Sequence, residues 1–195
     1  MRADLKKTQR IFTIGHSNLP FEQFVSLLKE HEIGLVADIR RYPSSRKFPH
    51  FNRPILCERL ADEGIDYQWF EALGGRRQGE KSQNSPNVGL TSPGFRNYAD
   101  YTATEAFRSA IQRLLSVAKE SPTTVMCAEK LYWKCHRRIL SDYLVSQGIE
   151  VVHIIGPNES SNHKLSSYAV TTENGVIYPS TEPINGQKSL FDLDA

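Results

Sequence analysis

The chain has 195 residues, 39% hydrophobic and 10% aromatic, with a formal net charge of only +2. That suffices for one domain with a real core and room for tails, and the near-neutral balance excludes global basicity as an argument for nucleic acid. Three cysteines do not make a disulfide framework, no apolar run approaches the ~20 residues of a membrane span, and the start Met1 to Lys7 lacks the apolar stretch of a secretory signal. The expectation is therefore a cytoplasmic protein with reduced thiols and no membrane partner.

In chain order, Ile11 to Ile14 reads as a short buried strand ended by Gly15. Pro20 can open a helix through Glu30, with Phe21, Phe24, Val25 and Leu28 at helical spacing. Leu35 to Ile39 is apolar on both faces, as parallel strands are. After a polar loop from Arg40 to Arg53, Pro54 starts a helix to about Glu63 and Gly64 ends it. Ile65 to Phe70 is a third strand, and Gly74 to Gly94 is a loop of the length usually reserved for functional or mobile segments. A helix from Thr104 to Glu120 carries Phe107, Ile111, Leu114, Leu115 and Ala118 on one face. Thr123 to Met126 is a fourth strand, a further helix ends near Gly148, and Val151 to Ile155 is a fifth strand.

Strands alternating with helices or loops predict an α/β fold. It is doubly wound, Rossmann-like or flavodoxin-like, around a mostly parallel five-stranded sheet. The expected organisation is an N-terminal extension over 1–10, the α/β domain over 11–157, a hairpin extension over 158–180 turning at Asn174-Gly175, and a flexible tail over 181–195.

The densest chemistry lies between the fourth strand and the helix after it, where Cys127, Glu129, Lys130, Cys135, His136, Arg137 and Arg138 fall within twelve residues. Helix first turns favour acidic or small polar residues, because their unpaired N–H groups are partly positive. Here cations take that turn and Cys135 stands where Ser, Thr or Asp would cap, an arrangement that makes sense if an anion is held at the helix end. Ligands of open parallel sheets bind outside the carboxyl ends of the strands. At those ends the sequence places His16 and Ser17; Asp38, Arg40 and Arg41; Arg76 and Arg77; and the Cys127 to Arg137 group.

Taken together, Thr13-Ile14-Gly15-His16-Ser17, Asp38-x-Arg40 with Pro43, Leu73-Gly74-Gly75-Arg76, and Cys127-Ala128-Glu129 with Cys135-His136-Arg137 resemble the family named domain of unknown function 488. The resemblance runs in order over about residues 11–156. It implies a single α/β domain in which these positions share a site, and it carries no activity.

Three chemistries fit the residues. The first is a thiolate nucleophile at Cys135, at a helix start beside His136 and Arg137, as in cysteine-dependent phosphatases and sulfur transferases. The usual Cys-x5-Arg cradle is absent, since Tyr132 and then Trp133, not Lys or Arg, stand at that distance from Cys127. The second is a divalent metal on Cys127, Cys135 and His136, with His16 as a further ligand, although the eight-residue cysteine spacing matches no zinc knuckle. The third is a nucleic acid, nucleotide or other phosphate-bearing ligand. The Arg40 to Arg53 loop, including Arg41 and Arg46, interleaves basic with aromatic side chains and holds no acid; cations contact phosphates and aromatics stack bases. Asp38 and Glu129 then read either as general acid/base groups or as ion-pair partners of Arg40 and Arg137.

Near the end, Gln187-Lys188-Ser189-Leu190-Phe191 resembles the Gln-x-x-Leu-Phe peptide by which bacterial replication and repair proteins dock on the sliding clamp. Gln187 is the polar anchor, and Leu190 and Phe191 supply the apolar side chains for a hydrophobic pocket. The favoured expectation is thus a ligand-binding or processing role linked to DNA repair or replication. The alternatives are a cysteine-dependent small-molecule enzyme and a non-catalytic clamp-tethered module.

Overall fold

The computed structural model describes residues 9–77 and 84–180; Gln187, Leu190 and Phe191 lie outside the described residues. Six strands form the main sheet: β1 (Arg10–Gly15), β2 (Leu35–Asp38), β3 (Asp66–Trp69), β4 (Thr123–Cys127), β5 (Glu150–Gly156) and β6 (Glu159–Asn162), in the order β3-β2-β4-β1-β5-β6. The first five are parallel and β6 pairs antiparallel with β5, so the sheet has one strand more than the sequence suggested. That edge strand, Glu-Ser-Ser-Asn, is wholly polar and mostly exposed, which removes the hydrophobic signal by which strands are read.

The helices are α1 (Phe21–Glu30), α2 (Arg53–Asp62), α3 (Pro93–Thr102), α4 (Glu105–Glu120) and α5 (Arg137–Ser146). Alternate residues of the central strands enter opposite cores. Val36 and Met126 pack with Phe24 and Leu28 of α1 and Leu56 and Leu60 of α2. On the other face, Ala37 and Val125 pack with Tyr98 of α3, Phe107 and Leu114 of α4, and Leu140 of α5. The doubly wound arrangement follows, because the strands are apolar on both sides and each side needs a helical cover. Helix α3 lies where the sequence pointed to loop and inter-element chain; Pro93 occupies its first turn, and Tyr98, Ala99 and Thr102 are its buried residues. Thr104 caps α4 by accepting a 3.3 Å hydrogen bond from the Phe107 N–H.

The registers align Gly15 with Cys127, Asp38 with Met126, and Asp38 with Trp69. Because β4 is inserted between β2 and β1, the loops leaving these three strands emerge side by side at one edge.

The anticipated C-terminal hairpin is present as β7 (Val170–Thr172) and β8 (Gly175–Ile177), with Gly175 at a φ of 120°. A buried polar chain fastens this region to the sheet. Asp142 of α5 accepts from the Tyr178 hydroxyl at 2.8 Å, from the Ser166 N–H and hydroxyl at 2.8 Å each, and from His163 Nε2 at 3.0 Å. Its carboxylate thereby fixes the tautomers: His163 Nδ1 accepts from His153 Nε2 at 2.9 Å, and His153 Nδ1 accepts from the Thr13 hydroxyl at 2.7 Å. Each side-chain donor in this series thus meets an acceptor. Burial, then His163 and Arg137, draws His153 down to about 3.

Candidate functional site

Where the β1, β2 and β4 loops meet, a cleft of about 870 Å³ opens, bounded also by the Gly75-Arg76 turn and the start of α3. A second depression, of about 710 Å³, includes Arg10, Glu150 and Lys29; Arg10 is already paired with Glu150 at 2.7 Å, and it holds no cysteine.

The cleft's side wall is an ion pair. Asp38 is fully buried, and its oxygens accept from the Arg40 backbone N–H and Nε at 2.9 Å each, from Arg40 Nη2 at 2.5 Å and from the Tyr67 hydroxyl at 2.7 Å. Burying such a pair is costly unless its lone pairs are filled in this way. For Arg40, burial alone would lower the guanidinium, but the Asp38 carboxylate outweighs it and raises it. Asp38 is therefore placed as the ion-pair partner of Arg40. The remaining Arg40 nitrogen, Nη1, meets His16 Nε2 at 3.2 Å, while His16 Nδ1 meets the Ser17 carbonyl at 3.0 Å. The carbonyl can only accept, so Nδ1 carries the proton and Nε2 is a neutral acceptor. Burial, reinforced by the charge of Arg40, draws His16 down to about 3. Its ring stacks on Phe51 at 4.0 Å, and Ser17, at a φ of 46°, lines the cleft beside it.

Glu129 and Arg137, for which an ion pair was one of the two readings, are arranged differently. Arg137 is only 1% exposed, and its Nη2 donates to the backbone carbonyls of Glu129 and of Lys130, the latter at 3.0 Å. The guanidinium thus braces the loop after β4 from inside, where the sequence reading had it facing an anion. Gly15 explains the tightness: a Cβ there would lie 1.9 Å from the Glu129 carbonyl oxygen and 2.7 Å from Arg137 Nη2, so only glycine lets β1 run against that loop. The β1 chain continues the pairing, with His16 N–H on the Cys127 carbonyl and Ser17 N–H on the Ala128 carbonyl at 2.9 Å each. The Glu129 carboxylate is left exposed on the cleft and accepts from the Leu131 N–H at 3.1 Å.

At the floor lie Cys127, from the end of β4, Cys135, and His136, which rather than Cys135 occupies the N-cap of α5. His136 Nδ1 is 3.4 Å from Cys135 Sγ and 3.9 Å from Cys127 Sγ. The ring is gripped from two sides. A Cβ on Gly75 would come within 2.8 Å of Nδ1, and Tyr98 meets the ring edge-on at 4.9 Å. The two thiols diverge. The hydrogen bond from Cys127, then the charge and hydrogen bonds of Arg137, draw Cys135 down to about 6 against the opposing effect of burial. Serving as that donor, and burial, push Cys127 up to about 12. Of the two, Cys135 is the sulfur that gives up its proton more readily.

The rim is basic and partly aromatic. Arg41, Arg76, Lys47 and Lys134 line it with Tyr42, 64% exposed, and with Phe48 and Phe95. Arg41 is engaged by Glu71 at 2.6 Å; among the described residues no carboxylate pairs with Lys47, Arg76 or Lys134. Two of the anticipated arginines are elsewhere. Arg77 donates to the carbonyls of Glu71, Ala72 and Gly74 and stacks over Tyr101 at 3.9 Å, and Arg46 is exposed outside the cleft lining. Conversely, Phe95 and Tyr98 of α3 and the Tyr67 brace escaped the sequence reading. Ser92-Pro93 ahead of spaced aromatics was the available signal for the first two.

Comparison with known proteins gives one family. The model described as domain of unknown function DUF488 matches residues 20–144, a span that takes in β2, β4 and the cysteine floor. No curated protein and no solved structure matches the chain.

Proposed function

The chain belongs to the DUF488 family, and since that membership brings no activity, we propose from the cleft itself that the protein binds a phosphate-bearing nucleotide or single-stranded nucleic acid. The rim takes the phosphates and the floor receives the base or other reacting group. The observation that carries this is the cleft's two-tier chemistry: above, cations with no carboxylate partner among the described residues, beside the exposed Tyr42 and the half-buried Phe48 and Phe95; below, two cysteine sulfurs and an imidazole. Basic side chains neutralise phosphates, and aromatic faces accept any base. Glu129 is the single carboxylate among the described lining residues, which supports a proton-transfer role for it. The tail residues Gln187, Leu190 and Phe191 support a DNA-linked setting, because a clamp-docking peptide would deliver the domain to replicating or repaired strands.

A labelled single-stranded oligonucleotide tests this at low salt. Binding is expected, with Arg76→Ala and Lys47→Ala each weakening it while leaving the fold intact. Saturating oligonucleotide should also slow alkylation of Cys135. An oligonucleotide that binds without shielding Cys135, or one that does not bind at all, contradicts the proposal.

A further inference from the structure

The floor cluster has a geometry that nucleotide binding does not explain. Its three donor atoms, two sulfurs and one imidazole nitrogen, all lie within 4.8 Å of one another. A tetrahedral zinc-class ion, with metal–sulfur bonds of about 2.3 Å and metal–nitrogen bonds of about 2.0 Å, requires sulfur-to-nitrogen edges of roughly 3.6 Å. The observed edges are 3.4 Å and 3.9 Å, bracketing that value. Both sulfurs face the same ring nitrogen, the His136 Nδ1. The ring's other nitrogen, Nε2, is buried with no hydrogen-bond partner among the described residues.

We propose that Cys127, Cys135 and His136 form a three-ligand site for a divalent transition ion of the zinc class, its fourth coordination position opening into the cleft. Two thiol sulfurs and an imidazole are a borderline-soft set that selects zinc, or cobalt in its place, over magnesium or calcium. The set is held in advance of the ion, since Gly75 and Tyr98 fix the imidazole while β4 and the start of α5 fix the sulfurs. Three protein ligands on a cleft wall match an open, reactive site, whereas a structural site closes with four. An ion there would polarise a water or a ligand oxygen held in the cleft. The site stands on its own donors and does not require nucleic acid to be the ligand.

The test uses the full chain, reduced, stripped with a chelator and titrated with Co²⁺. One equivalent is expected to give the intense visible bands of tetrahedral cobalt and a near-ultraviolet thiolate-to-cobalt band, both bleached by Zn²⁺. Cys135→Ser and His136→Ala should lose or displace these bands, and Cys57→Ser, an exposed cysteine away from the site, should leave them unchanged. A folded wild-type chain without the thiolate band, or a Cys135→Ser chain with the full spectrum, overturns the site. If the ligand variants do not fold, wild-type labelling decides: Zn²⁺ should suppress alkylation of both Cys127 and Cys135, and labelling indifferent to Zn²⁺ overturns the site. Oligonucleotide binding is read separately, so failure of one claim does not mask the other.

Discussion

Arg137 distinguishes a structural brace from an anion ligand, and Arg137→Met is the variant that separates them. In the wild type its Nη2 serves the Glu129 and Lys130 carbonyls from a position 1% exposed. Hydrogen bonds made by a charged group are worth roughly 1.5–3 kcal/mol each, and carbonyls left buried without a donor carry their own desolvation penalty. Methionine fills much of the volume and relieves the burial of a guanidinium, which offsets part of that loss. The net destabilisation should be about 2–4 kcal/mol. At roughly 2–4 °C per kcal/mol for a chain of this size, the melting temperature falls by about 5–15 °C. Differential scanning fluorimetry with a urea titration measures it, and Arg76→Ala serves as the contrast, expected to keep its melting temperature while losing oligonucleotide affinity. An Arg137→Met chain melting within about 2 °C of wild type, or weakened in binding alone, would refute the brace.

Three further outcomes are expected. In the metal-free, reduced protein, iodoacetamide should modify Cys135 with a half-maximal rate near pH 6 and leave Cys127 slow; a midpoint at the ordinary thiol value, or Cys127 reacting first, counts against the assigned pair. The share of stability that depends on His16 and His153 should be constant above the unfolded histidine value of 6.5 and fall as the pH drops from there towards about 3, because the unfolded chain takes up protons that these two folded histidines refuse. The slope is up to about 1.4 kcal/mol per pH unit for each histidine, and Asp142, lowered because the His163 and Ser166 hydrogen bonds outweigh its burial, adds a loss of the same sign at lower pH; urea midpoints that do not change between pH 7 and 4 would be the contrary result. A synthetic peptide carrying Gln187, Leu190 and Phe191 should bind a bacterial sliding clamp in a polarisation assay and lose binding on Phe191→Ala; a wild-type peptide that fails to bind removes the docking motif.

The sheet was readable because its strands are short apolar runs whose neighbours bury both faces: Val36 and Ala37 need no partner information to be placed inside. Asn174-Gly175 announced the hairpin through turn chemistry alone. By contrast, β6 carries no apolar residue, and its pairing with β5 satisfies backbone groups that sequence patterns do not show. Helix α3 was hidden by the glycine and proline around its start, and with it went Phe95 and Tyr98. Residues from the strand-end clusters do meet at one edge, since topology alone brings those strand ends together. What each cation does there was not legible. Arg40, Arg77 and Arg137 turned inward on a carboxylate or on carbonyls, while Arg76 and Lys134 remained on the rim. That sorting depends on how closely β1 approaches the Glu129 loop, a contact between residues more than a hundred positions apart.

The salt dependence of oligonucleotide binding tests the rim most directly. For single strands the logarithm of the affinity falls with the logarithm of salt by roughly 0.7 per phosphate neutralised. Lys47, Arg76 and Lys134 are three such cations on the cleft. Replacing all three with alanine should flatten the slope by roughly 2, with the melting temperature unchanged. Wild-type affinity indifferent to salt, or a triple variant with the wild-type slope, would contradict a phosphate-binding cleft.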